Sequence, residues 1–161
     1  MYPDFKELLS IFNDRGVKYL IVGGYAVSFH AQPRATKDLD ILIGPDPENA
    51  AAVHAALAQF GAPIEGLRPA DLIERGKFFR MGTPPIMVDI MPEISGVDFE
   101  DAWSRRIEAV IDPGAGLTAP IISEADLIAA KVAAARPQDL ADVDAINKAK
   151  GRDAEGGAPE G

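Results

Sequence analysis

Phe5, Leu8, Leu9 and Phe12 recur at the spacing of one helix face, and Gly16 follows as a stop. The pattern then changes. Val17 to Val22 is a short apolar run that reads as a buried strand, and it ends at Gly23-Gly24. Tyr25 to Phe29 suits a short helix, which Pro33 breaks. Asp38 to Ile43 alternates and is β-branched, so it predicts a strand, closed by Gly44-Pro45. Asp46 to Phe60 is Ala-rich with Val53, Leu57 and Phe60 on one face, a helix that Gly61 ends. Ala70 to Arg75 gives a short helix. Phe78 to Met81 and Ile86 to Met91 read as two strands joined by Gly82-Thr83-Pro84-Pro85. Residues 105–111 and 117–122 add two strands around the turn Pro113-Gly114. Ser123, with Asp126 three residues on, opens a helix through Ala135. Pro137 separates it from a last helix at about 138–149. From Gly151 the chain is Gly, Ala, Glu and Pro without apolar periodicity, which predicts a disordered tail over 151–161. No repeat and no second domain interrupts residues 1–150. The order of elements predicts one α+β domain, a mixed sheet with helices packed against it.

Composition narrows the classes. Of 161 residues 47% are hydrophobic, enough for a core, and no run approaches the roughly 18 apolar residues of a membrane span. The N-terminal MYPDFKELLSIF carries acids and helical periodicity, unlike an export signal, so the expected location is cytoplasmic. There is no cysteine, which excludes a disulfide framework and a zinc-thiolate site. The net charge of −9 does not suit broad, sequence-independent nucleic-acid binding, which rests on neutralising phosphates.

Candidate chemistry begins at Asp38-Leu39-Asp40. Side chains alternate along a strand, so both acids point one way, while Leu39, Ile41 and Ile43 point into a core. Two like charges about 4 Å apart repel by roughly 4 kcal/mol at an effective dielectric of 20, so solvent, a basic partner or a cation must offset them. An all-oxygen cluster suits magnesium. Asp89 is the only charge in Ile86-Met87-Val88-Asp89-Ile90-Met91. A carboxylate there needs water, a salt bridge or a metal. If its strand pairs beside the Asp38 strand, three carboxylates converge, and three acids can bind two ions for in-line displacement at phosphorus. Gly23-Gly24 lies between a strand and a helix, where backbone N–H groups can approach a phosphate; a plain tight turn uses the same residues.

Together these residues form a pattern. Leu20-Ile21-Val22-Gly23-Gly24, then Asp38-Leu39-Asp40-Ile41, then Val88-Asp89-Ile90, resemble the nucleotidyltransferase superfamily of the DNA polymerase β type. Arg34-Ala35-Thr36-Lys37-Asp38-Leu39-Asp40 looks like its minimal bacterial members, including the AbiEii-type abortive-infection toxins. Asp126 to Lys131 and Arg136 to Asp142 continue the likeness, which covers about residues 17–147. Many members have Gly-Ser where this chain has Gly23-Gly24. The resemblance implies a nucleotidyltransferase-like fold and two magnesium ions held by Asp38, Asp40 and Asp89. It also implies a nucleoside triphosphate bound by Gly23, Gly24, Arg34, Thr36 and Lys131. The acceptor would be a hydroxyl of RNA, a protein or a small molecule, and a cognate toxin or antitoxin partner would follow from the same likeness. A non-catalytic nucleotide- or partner-binding module on this fold is the alternative.

The single residues have plainer readings too. Arg34 suits a triphosphate or a surface loop, and Thr36 a hydroxyl bond that orients the Asp38 loop or an ordinary turn. Lys131, on an Ala-rich helix, reaches a phosphate or snorkels to water. His30 reads as packed and hydrogen-bonded rather than as a base. Arg136, Asp139 and Asp142 read as an ion-pair network between the last helices, and Phe99 with Trp103 as core or a hydrophobic edge.

Overall fold

The computed structural model describes residues 1–33 and 35–157, with side chains through residue 151. The helix expected from Phe5 onward is α1, Pro3–Asp14, and it buries Phe5, Leu8, Leu9, Ile11 and Phe12. Next come β1 (Tyr19–Val22), α2 (Gly23–His30), β2 (Asp38–Ile43) and α3 (Pro47–Phe60). Asp46 caps α3 by accepting from the Asn49 amide, and Gly61 ends it in the left-handed region at φ 91°. A 3-10 turn at Pro69–Ile73 replaces the helix expected over 70–75. The hairpin is β3 (Phe79–Thr83) and β4 (Ile86–Met91), turning on Pro84-Pro85. The chain continues through α4 (Phe99–Ser104), β5 (Ile107–Asp112), β6 (Leu117–Ile121), α5 (Glu124–Ala134) and α6 (Pro137–Gly157).

Two further elements differ from the sequence reading. Helix α4 was not expected. Its Asp98 cap accepts from the Asp101 amide, but six residues are too few for a helical period to register. Helix α6 runs to Gly157, past the expected end near residue 149.

The six strands form one mixed sheet in the order β3-β4-β2-β1-β6-β5. β1 is antiparallel to β2 and parallel to β6, and β2 is parallel to β4. Leu39, Ile41 and Ile43 are fully buried, as the alternation requires. Asn49 is buried where β1, β2 and α3 meet; its side chain donates to the Lys18 and Gly44 carbonyls and accepts from the Lys18 amide. Those bonds satisfy the backbone at one end of the β1–β2 pair, and the acids lie at the other end of β2. Among the described residues, no helix is long and apolar enough to cross a membrane.

Candidate active site

Strand register assembles the acids. Asp40 on β2 lies opposite Asp89 on β4 and, across the other edge, opposite Val22 on β1. Residues opposite one another in a ladder share a sheet face, and Asp38 shares it by the two-residue period. All three carboxylates are therefore on one face, Asp38 and Asp40 by their spacing and Asp89 because β4 pairs with β2. Asp38 is exposed, Asp40 half-buried and Asp89 buried.

β1 ends directly in α2, so Gly23 stands beside Asp40. Gly23 adopts φ +65°, and a Cβ there would lie 2.8 Å from the Asp40 Cβ and Cγ. Only glycine fits both the backbone and the approach. No side chain caps α2. The N-cap residue Val22 therefore takes up none of the first amides of this helix, which starts with Gly23 beside Asp40, and a helix start of this kind suits an anion. Gly23→Ala is expected to cost roughly 2–4 kcal/mol, combining left-handed strain with the clash. Urea unfolding measures it; a loss below about 1 kcal/mol would mean that Asp40 swings aside freely.

The electrostatics of Asp40 follow from that placement. Burial, then the nearby charges of Asp89 and Asp38, push its pKa from the usual 3.8 up to about 6, and Lys131 and Arg80 pull weakly the other way. Asp40 has no ion pair of its own among the described residues. Asp89 differs. Arg80, its register partner on β3, closes a two-pronged fork on it, Nε to Oδ1 at 2.6 Å and Nη2 to Oδ2 at 3.0 Å. The salt-bridge reading of Asp89 is thus realised on the same face as the metal reading. Sequence reasoning passed over Arg80. The signal was present: a turn at Pro84-Pro85 pairs Thr83 with Ile86, and counting back three pairs places Arg80 against Asp89.

A cleft of about 810 Å³ opens beside Asp40, with Gly23, Glu93, Lys131 and Arg136 also among its walls. Lys131 comes from α5, whose start is fixed by Ser123 capping the Asp126 amide and by a fork from Arg105 to Asp126. The Lys131 ammonium pairs with Asp139 at 3.3 Å and Asp142 at 3.1 Å, both buried on α6. Arg136 adds a 2.6 Å pair to Asp139. The expected network between the last helices is present and includes Lys131. Thr36 accepts at its carbonyl from the Tyr25 hydroxyl, 3.1 Å away. Arg34 lies outside the described residues. His30 bonds the Ile122 carbonyl through Nε2 at 2.7 Å, a structural contact. Phe99 and Trp103 stack with ring centroids 5.9 Å apart, and Phe99 packs beside Gly44, at the end of β2 opposite to the acids.

The donor set is all oxygen, which suits magnesium. Asp38 and Asp40 fit such an ion, since the repulsion between them is only partly offset: Lys131 and Arg80 pull the Asp40 pKa down less than burial and the neighbouring acids push it up. Asp89 fits only when Arg80 lets go. With Arg80 in place, no three acidic or histidine side chains among the described residues converge closely enough to hold a metal.

The chain belongs to a nucleotidyltransferase family: the family described as "Nucleotidyltransferase of unknown function (DUF6036)" matches residues 4–153. No curated protein matches the chain. Solved structures share its fold. The antibiotic-resistance factor ANT(2'')-Ia superposes with a TM-score of 0.60 at 16% identity, over 93% of this chain and 84% of that one. The lincosamide antibiotic adenylyltransferase LnuA, solved with lincomycin bound, gives 0.56 at 19%, over 91% and 96%. A putative nucleotidyltransferase (TM1012) from Thermotoga maritima gives 0.52 at 15%, over 94% and 91%. The fold class read from the pattern of elements is therefore the observed one, and nucleotidyl transfer is the activity of the family.

Proposed function

We propose that this protein is a magnesium-dependent nucleotidyltransferase that moves a nucleotidyl group from a nucleoside triphosphate to a hydroxyl of a small molecule. The observation that carries the reading is the shared face of Asp38, Asp40 and Asp89 beside the uncapped start of α2. Asp40 and Gly23 line one cleft of about 810 Å³, which would take a triphosphate between the metal ligands and the helix amides. The Gly23 and Gly24 amides would bind phosphate oxygens. Lys131 has three N–H groups, and two carboxylates hold it, so one is left to point at a phosphate. Asp38 and Asp40 would hold magnesium, with Asp89 as the third ligand. Magnesium, when bound, would supply the positive charge that activates the acceptor hydroxyl and steadies leaving pyrophosphate.

A small-molecule acceptor is favoured over RNA for two reasons. A net charge of −9 repels a polyanion. Two structures of the same fold are an antibiotic-resistance factor and an antibiotic adenylyltransferase. A toxin or antitoxin role with a cognate protein partner rests on the Arg34-to-Asp40 string and its continuation in α5 and α6.

Calorimetry with each of the four ribonucleoside triphosphates, with and without magnesium, is the direct test. Binding of at least one that weakens tenfold or more on removing magnesium is expected, on the order of 1.4 kcal/mol. No binding by folded protein would remove the enzymatic reading. The fork on Asp89 favours one other reading, a non-catalytic module in which a guanidinium permanently takes the metal's place. Magnesium-independent triphosphate binding without pyrophosphate release would put that module in front.

A further inference from the structure

Arg80 and Asp89 are unequally placed. The Asp89 side chain is 11% exposed, whereas that of Arg80 is 54% exposed. A largely buried carboxylate is costly to leave unpaired, so the acid needs a partner at all times. The guanidinium is half exposed and lies over the exposed Phe78 ring, 5.4 Å from its centroid. Moving it into water disturbs little packing. Strand order places β3 on the far side of β4 from β2, so Arg80 reaches Asp89 from the sheet edge. Its charge is nevertheless felt by Asp38 and Asp40 as well. The fork occupies both oxygens of Asp89, and a metal ion competes for the same lone pairs.

We propose that Arg80 is the resident counter-cation of the three-acid face, that it leaves Asp89 when a divalent cation binds, and that it then becomes a ligand of the nucleotide's phosphates. This rests on the metal-dependent reading above. Space for the move exists. A second cleft of about 250 Å³ lies beside Asp89, with Lys77, Phe78 and Arg80 in its walls, and it adjoins the larger one through Met91 and Glu93, which line both. Phosphate is the chemistry that suits a released guanidinium, because its planar donors match two phosphate oxygens. The exchange keeps Asp89 paired throughout, first with Arg80 and then with the metal.

The two halves predict opposite signs from one substitution, which a merely structural role for Arg80 would not give. Titration calorimetry with magnesium chloride alone should show Arg80→Gln binding about tenfold tighter than wild type. Arg80→Lys keeps the charge but loses the fork, and should also bind more tightly. Lys77→Gln removes a charge from the same cleft without touching Asp89, and should stay within about twofold of wild type. With magnesium saturating, Arg80→Gln should bind the triphosphate about tenfold more weakly. Uptake of magnesium by Arg80→Gln and none by wild type would support the exchange in its strongest form. Magnesium affinity in Arg80→Gln no greater than in wild type would overturn it and leave the metal site standing, as would an equal gain in Lys77→Gln. No magnesium uptake by either wild type or Arg80→Gln, both unfolding cooperatively, would overturn the metal-dependent reading and this inference with it.

Discussion

Asp40→Asn should abolish nucleotidyl transfer while making the metal-free protein more stable. The two effects have one cause. Asp40 is half-buried beside Asp38 and Asp89 and has no ion pair among the described residues, so its negative charge is unfavourable in the metal-free protein. Its carboxyl is pushed up from 3.8 to about 6, chiefly by burial and then by the neighbouring acids. One pKa unit corresponds to about 1.4 kcal/mol, and water at a half-buried group screens part of that, so the expected gain at pH 7 is about 1–3 kcal/mol. The sign with pH is fixed. Between about 4 and about 6 the folded state holds more protons than the unfolded state, so wild-type stability falls as pH rises through that window. The variant lacks this slope. The stability difference should therefore be near zero at pH 3.5, grow to about pH 6 and then level off. Transfer should fall by roughly 10²–10³ or more, the cost of losing one preorganised charge at a reacting centre. Urea unfolding across pH, without magnesium, reads the first effect, and pyrophosphate release reads the second. An Asp40→Asn protein less stable than wild type at pH 7 would mean that the carboxylate is already compensated in the metal-free site.

The contrast between what the chain's pattern disclosed and what it concealed follows from the range of the interactions. Asp38 and Asp40 share a face because strand side chains have a period of two, and that is readable in three residues. The stop at Gly61 and the cap at Ser123 are equally local, and both stand in the structure. That Asp89 lies opposite Asp40 depends on β4 pairing with β2, across the whole of α3 and the 3-10 turn. Periodicity cannot supply such a pairing; the family resemblance did. The Arg80–Asp89 register lay between these cases. It follows from one hairpin: a salt bridge is one of the readings of Asp89, and only the turn at Pro84-Pro85 identifies Arg80 as the partner. Helix α4 was hidden by its length. The Lys131 network was foreseen for Arg136, Asp139 and Asp142 from spacing alone. That it also captures Lys131 depends on how α5 packs on α6, a tertiary fact.

That packing carries the other large expected effect. Asp139→Ala should destabilise the protein by about 3–5 kcal/mol, the cost of breaking a buried ion pair by removing one partner. Asp139 is 1% exposed, and the Lys131 side chain is 15% exposed, so the loss leaves an ammonium largely withdrawn from water with Asp142 as its remaining counter-charge. For a chain of this length that corresponds to a fall in Tm of roughly 6–20 °C. Arg136→Ala removes a partner whose side chain is 75% exposed and should cost less than about 1 kcal/mol, although it touches the same carboxylate. The acid limb has the opposite sign to that of Asp40. The hydrogen bond from Arg136, helped by Lys131, holds the Asp139 carboxyl down at about 2. Its contribution is present above the unfolded value near 3.8 and is lost as pH falls through about 2. Wild type should therefore lose its advantage over Asp139→Ala on acidification below pH 4. Lys131 also lines the cleft proposed for the triphosphate, so the same substitution should weaken triphosphate binding about tenfold at a temperature where the variant is still folded. Thermal melts at pH 7 and pH 2.5, with calorimetry at 15 °C, would test both effects. A loss of less than 1 kcal/mol at pH 7 would show that apolar packing, not this charge network, fixes α5 against α6.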